Sequence, residues 1–233
     1  RYCVRRNWSI KKFMLFTIFS ILTVSTSILF FVDSKNLKQL RFLSLTTASI
    51  VLILSCLLLN NFDSNIYFFQ YFTQIIFGND LLNLNYSFAL DNLAIYFFVL
   101  SSLLIFLCIL FIWNDKNFKE YAITLLIIEL FLLIIFSVLD LFLFYIFFEA
   151  ILIPMYLLIG IWGSRERKIR AVYLFFFYTL CGSILFLIAI LYIYSITGSL
   201  NLEYLLTFQF TLVEQSLLWI CCFLSFASKI PMF

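Results

Sequence analysis

Two ionisable side chains in this sequence stand inside apolar stretches with a proline close behind each: Glu149 ahead of Pro154, and Lys229 ahead of Pro231. The chain has only 2 prolines, so both mark an apolar charge. A carboxylate and an ammonium brought together favour each other's charged forms, whereas desolvation favours the neutral forms once they part. Moving one relative to the other therefore drives proton uptake and release. Lysine suits this chemistry because burial can deprotonate it, whereas arginine would stay charged. Proline lacks a backbone donor and clashes with the carbonyl four residues back, so Pro154 frees the carbonyl of Ala150 and Pro231 that of Ala227. Each charge lies beside a weakened point in its helix.

The stretch from Leu141 to Trp162, LFLFYIFFEAILIPMYLLIGIW, carries Glu149 as its sole charge and is long enough to cross a bilayer as a helix. A charge at the bilayer centre costs about 2.5–3.5 kcal/mol on insertion scales, so Glu149 is expected to face a bundle interior, water or a partner charge. Lys229, in FLSFASKIPMF, is the only lysine within an apolar run. Asp140 falls between two runs, where it either caps a helix or joins a proton pathway. Glu129, in TLLIIELFLLIIF, lies in the preceding span and has no recognisable partner in the sequence.

Hydrophobic residues make up 65% of the chain, charged residues 12%, and the mean hydropathy is +1.11. Soluble domains carry about 25% charged residues, so these values exclude one. The first apolar run is too long for a signal peptide, and equally long runs follow it. With His 0, the commonest ligand of haem, copper and zinc is missing. Cys3, Cys56, Cys108, Cys181, Cys221 and Cys222 show no C-x-x-C spacing and read as small packing residues rather than zinc or iron–sulfur ligands. No glycine loop for phosphate is present, and no nucleic-acid partner is expected.

Apolar runs of spanning length occur at Phe13 to Val32, Phe42 to Leu59, Leu93 to Trp113, Tyr121 to Leu139, Leu141 to Trp162 and Ala171 to Ser195, and another starts near Leu217. They predict an all-α polytopic membrane protein with about seven transmembrane helices. Residues 1–12 form a basic tail and residues 13–233 the helical domain. Asn60 to Tyr86 reads as the longest loop, with Ile66 to Phe77 on the membrane surface or in a short extra helix. Gly198 to Gln215 reads as a second loop. If the spans alternate sides, Lys35, Lys38, Arg41, Lys116, Lys119, Arg165, Arg167, Lys168 and Arg170 share one side, and the loops opposite hold no Lys or Arg. That side is the cytoplasmic or matrix face. Arg1, Arg5, Arg6, Lys11 and Lys12 then fall on the other side, so that either an upstream segment changes their context or a partner protein holds the tail. The run SRERKIR is a solvated loop that fixes topology, and Gly182 with Ser183 allows close helix packing.

The stretch DLFLFYIFFEAILIPMYLLIGIWGSRERKIRAVYLFFFYTLCGSILFL, from Asp140 to Leu187, resembles the subunit 4 family of mitochondrial NADH:ubiquinone oxidoreductase, respiratory complex I. The terminal LLWICCFLSFASKIPMF looks like that family's seventh helix, an apolar run closing on a lysine and a proline. Weaker similarity runs back through Phe88 to Trp113 and DSKNLKQLRFLSL, leaving residues 1–12 uncovered. The resemblance implies an antiporter-like bundle, related to multi-subunit sodium/proton antiporters, of about fourteen helices with inverted repeats. This chain would form its N-terminal half and end inside the broken seventh helix. Glu149 and Lys229 would be the proton-uptake pair, and Asp140 matches a further family carboxylate. The family's central lysine and exit residue fall beyond Phe233.

The resemblance further implies a non-redox, proton-translocating membrane-arm subunit in the mitochondrial inner membrane, part of an H+-translocating NADH:ubiquinone reductase. NADH, FMN, iron–sulfur clusters and ubiquinone would be bound by other subunits, with no cofactor in this chain. Expected partners are neighbouring antiporter-like and other membrane-arm subunits and membrane lipids. The first residue is Arg1 and the last run stops at Phe233, so a processed, split or partial product is expected, with a separate polypeptide completing the bundle or a longer chain around it. The alternative reading is a subunit of a stand-alone cation/proton antiporter.

Overall fold

Hydrocarbon offers backbone groups no partner, so each long apolar run satisfies its own as a helix. The computed structural model describes residues 8–34, 36–65, 69–77, 84–115, 117–163 and 166–230. Pro231, Lys35, Lys116, Arg165, Cys3, Arg1, Arg5 and Arg6 lie outside the described residues. The chain divides into two compact units, Arg1–Val138 and Leu139–Phe233. Among the described residues, 7 helical segments are long and apolar enough to cross a membrane.

The first unit contains α1 (Trp8–Phe31), α2 (Leu37–Asn60), the strands β1 (Gln70–Phe77) and β2 (Leu84–Leu90), α3 (Ala94–Phe111) and α4 (Phe118–Ser137). α1 begins at Trp8, so the end of the basic tail is already helical. Lys119 Nζ donates to the carbonyls of Phe30 (2.9 Å) and Val32 (2.7 Å), and the Arg41 guanidinium stands over the rings of Trp113 and Phe118. These contacts hold the α1–α2 and α3–α4 connections at one end of the unit, as the basic-loop pattern requires. Deeper in, Ser55 and Ser102 share a 2.8 Å hydrogen bond between α2 and α3. Phe31 and Phe111, 89% and 91% exposed, belong to the outward apolar face a lipid would cover.

The loop expected from Asn60 to Tyr86 is corrected by the structure: β1 and β2 pair as an antiparallel hairpin, with Thr73 opposite Phe88 and Ile75 opposite Tyr86. The reason is local. Tyr71, Phe72, Thr73, Ile75 and Ile76 are residue types that favour a pleated strand, and Gly, Asn and Asp follow at 78–80 as turn-favouring types in the sequence, outside the described residues. Tyr71 takes φ 57 where the register shifts between Gln70 and Thr73, a conformation costly for an aromatic residue. Its hydroxyl donates to the Leu58 carbonyl at 2.8 Å, and its ring stacks on Phe62, which anchors the hairpin to α2.

The second unit contains α5 (Leu141–Ala150), α6 (Leu152–Trp162), α7 (Lys168–Thr197), the one-turn α8 (Leu202–Leu205) and α9 (Leu212–Lys229). The expected start near Leu217 moves back to Leu212, and the Gly198 to Gln215 loop shortens accordingly. A capping box explains this: the Thr211 side chain accepts from the Glu214 backbone, and the Thr211 N–H donates to Glu214 Oε2 at 2.8 Å. Gly198, at φ 68, closes α7 with a left-handed cap. Phe144, Phe148, Phe186 and Phe226 form an aromatic cluster across α5, α7 and α9.

Candidate proton-transfer site on the broken helix

Asp140 starts α5 as its N-cap: its Oδ1 accepts from the N–H groups of Phe142 (3.0 Å) and Leu143 (2.9 Å). The same end is tied down by Leu141 N–H on the Leu200 carbonyl (3.1 Å) and Leu202 N–H on the Leu139 carbonyl (2.8 Å). A cap at residue 140 therefore sets where α5 delivers its last turn. That turn carries Phe148 and Glu149. At Ile151 the helix breaks, and α6 restarts at Leu152 with Pro154 buried in its first turn. A proline three residues past the break cannot donate to Ala150, so the two half-helices remain separate.

Lys229 closes α9. Its ammonium donates to the Phe148 carbonyl, and Nζ stands 3.2 Å from the centre of the Phe148 ring. The structure thus brings Lys229 onto the last turn of α5, beside the carboxylate predicted to be its partner. The hydrogen bond goes to the backbone of Phe148 and not to the Glu149 carboxylate. Glu149 Oε1 is buried and accepts no hydrogen bond. The negative end of the α5 dipole and the carboxylate both favour a cation there. Asp140 does not join them, for it sits at the opposite end of α5, about 14 Å away along the axis.

Two polar residues of this region, Tyr145 and Ser225, escaped sequence reasoning. Tyr145 lies one turn before Glu149, with its ring against Phe186 of α7. Ser225 of α9 is 0% exposed, and its Oγ has no partner. The i, i+4 spacing of Tyr145 and Glu149 was the available signal. Phe148 could not have been found, because its contribution is a carbonyl and a ring. Among the described residues no group of three His, Cys, Asp or Glu side chains is placed to hold a metal ion.

The seven apolar helical segments form an antiporter-like membrane bundle, and the family described as NADH:quinone oxidoreductase/Mrp antiporter, TM, matches residues 138–233. NADH-ubiquinone oxidoreductase chain 4 of Chondrus crispus is 44% identical over 90% of this chain and 43% of its own length, and that of Arabidopsis thaliana is 42% identical over 88% and 42%. NADH-quinone oxidoreductase subunit M of Rickettsia typhi is 37% identical over 91% of this chain and 44% of its own. A chain of respiratory complex I from Thermus thermophilus superposes with a TM-score of 0.75, 25% identity, and coverage of 91% of this chain and 43% of that one. Over about nine-tenths of its length the chain is similar to NADH-ubiquinone oxidoreductase chain 4. It spans under half the length of the curated relatives it matches.

Proposed function

We propose that this chain is a proton-translocating, non-redox membrane-arm module of respiratory complex I, in which Glu149 and Lys229 take up and pass on protons. It is a multi-pass protein of the mitochondrial inner membrane, and its partners are the other membrane subunits of that complex. Flavin, iron–sulfur clusters, NADH and quinone are held by those subunits. One observation carries the reading: the Lys229 ammonium is seated on Phe148 at the end of a broken helix, next to Glu149. A shift of α9 relative to α5 changes how strongly the carboxylate and ammonium favour each other's charged forms, and so moves a proton. Asp140 supports the site by capping α5.

Glu149→Gln is expected to assemble and to lower proton pumping in reconstituted vesicles together with coupled turnover. Lys229→Ala should behave alike, and Lys229→Arg should fail to restore pumping because arginine does not release its proton. Unchanged pumping in both Glu149→Gln and Lys229→Ala refutes the assignment. Copurification with flavin- and iron–sulfur-containing subunits separates this function from a stand-alone cation/proton antiporter, which would isolate without redox centres.

A further inference from the structure

Glu129 plays no part in the site above. It is the one charged side chain among the described residues with 0% exposure, and neither carboxyl oxygen has a hydrogen-bond partner. It lies on the buried stripe of α4 with Ala122, Leu126 and Leu133, each 0% exposed. α4 packs against α1, α2, α3 and β2, and the ionisable groups those elements bring are few. From Met14 to Phe31, α1 brings none. α2 brings Lys38 and Arg41 at its basic end and Cys56 further along; α3 brings Tyr96 and Cys108, both exposed; β2 brings Tyr86. α4 itself brings Lys119, Glu120 and Tyr121 in its first turn. Arg41 is committed to the rings of Trp113 and Phe118, and Lys119 to the carbonyls of Phe30 and Val32. Both lie at the start of α4, about 15 Å along the axis from Glu129.

Hydroxyls on the neighbouring helices are also committed. Ser25, Ser101 and Ser102 each donate to a carbonyl of their own helix, and Ser55 is engaged with Leu52 and Ser102. An ionised carboxylate here would face neither a cation nor a free donor, a far costlier state to bury than the uncharged acid. We infer that Glu129 is a second proton-binding site, built by α1–α4 alone and holding its proton in the resting protein. Release of that proton needs a donor to replace it, and a hydroxyl turning from its intrahelical bond supplies one without any new charge.

The test uses membranes containing the assembled complex and dicyclohexylcarbodiimide, a lipid-soluble reagent for protonated carboxyl groups. The carboxyl oxygen adds to the carbodiimide carbon, its proton passes to nitrogen, and the O-acylisourea rearranges to a stable N-acylurea that peptide mass spectrometry locates. An adduct on Glu129, lost in Glu129→Gln and kept in Glu149→Gln, supports the site. Infrared spectra provide the second readout: the C=O stretch of a protonated carboxylic acid, sensitive to H2O/D2O exchange, should vanish in Glu129→Gln. Glu129→Asp, which keeps a carboxyl, serves if the glutamine variant fails to assemble, and should shift that band. An unmodified Glu129 together with a carboxylic-acid region unchanged in both variants overturns the inference. Neither readout depends on pumping, so the result stands apart from the outcome for Glu149 and Lys229.

Discussion

Gly182 is a point of close approach between α7 and α9, and substituting it tests whether the seat of Lys229 depends on that approach. A Cβ added at Gly182 would lie 1.9 Å from Ser228 Oγ and 2.4 Å from Ser228 Cβ. The hydroxyl can rotate away, but the Cβ moves only with the α9 backbone. Carbon atoms pack at about 3.5–4.0 Å, so the helices must part locally by about 1 Å or more. Overpacking of this kind costs about 1–3 kcal/mol. Lys229 is the next residue along α9, so the same displacement draws its ammonium off the Phe148 carbonyl. Gly182→Ala should therefore lower the melting temperature of the purified complex and reduce protons pumped per NADH oxidised. Ser228→Gly removes both clashing atoms, so the double variant should recover most of the loss, a coupling between neighbours of about 1–3 kcal/mol. The reasoning fails if Gly182→Ala melts and pumps like the parent, or if Ser228→Gly brings no relief.

Asp140→Ala should cost about 1 kcal/mol through loss of the α5 cap, whereas Asp140→Asn keeps a capping oxygen. Comparable pumping in Asp140→Asn and the parent, measured in vesicles, is the expected result; a loss at unchanged stability would place Asp140 in the proton path. Burial pushes the Tyr71 hydroxyl up to about 12 from its ordinary 10.0. Because the folded value is the higher one, its contribution is whole below pH 10 and disappears as pH rises through about 12. Alkaline denaturation should steepen in that window, and Tyr71→Phe, which also gives up about 1 kcal/mol of hydrogen bond to Leu58, should flatten it. Pro154→Ala restores a donor to the Ala150 carbonyl and lets α5 run into α6; it should lower coupled pumping without lowering the melting temperature.

The seven spans were legible because apolar length is a strong signal, whereas their ends moved by a few residues, and at α9 capping chemistry gives the reason: Thr211 and Glu214 carry its start back to Leu212. The hairpin was not legible as such. Its strands were read as one loop because Asn and Asp dominated the reading, although Gly78 to Asp80 between two aromatic runs is a turn signal. At the site, Glu149 and Lys229 were visible as costly charges, and Gly182 as a packing residue. The contact that joins the pair was invisible because Phe148 acts through its backbone, a feature no side-chain pattern encodes. Glu129 was visible as a charge, but its complete burial without a partner depends on how α1–α3 surround it.

The helix break matters less for the carbonyl that Pro154 directly releases than for the helix end it creates. By ending α5 at Ala150, it leaves the Phe148 carbonyl open to a partner from another helix. The Ile151 N–H takes that of Phe147 at 3.1 Å, and Lys229 takes that of Phe148. Glu149 sits in this same turn, where the helix dipole already disfavours a carboxylate. One ammonium therefore answers two negative features, and they differ in kind: the carbonyl and ring are permanent, whereas the carboxylate can be neutralised by a proton. Protonation of Glu149 removes the charge that attracts Lys229 but leaves its hydrogen bond and its ring contact in place. The ammonium is accordingly expected to stay seated in Glu149→Gln, with the loss of pumping arising from the missing proton acceptor and not from a displaced lysine.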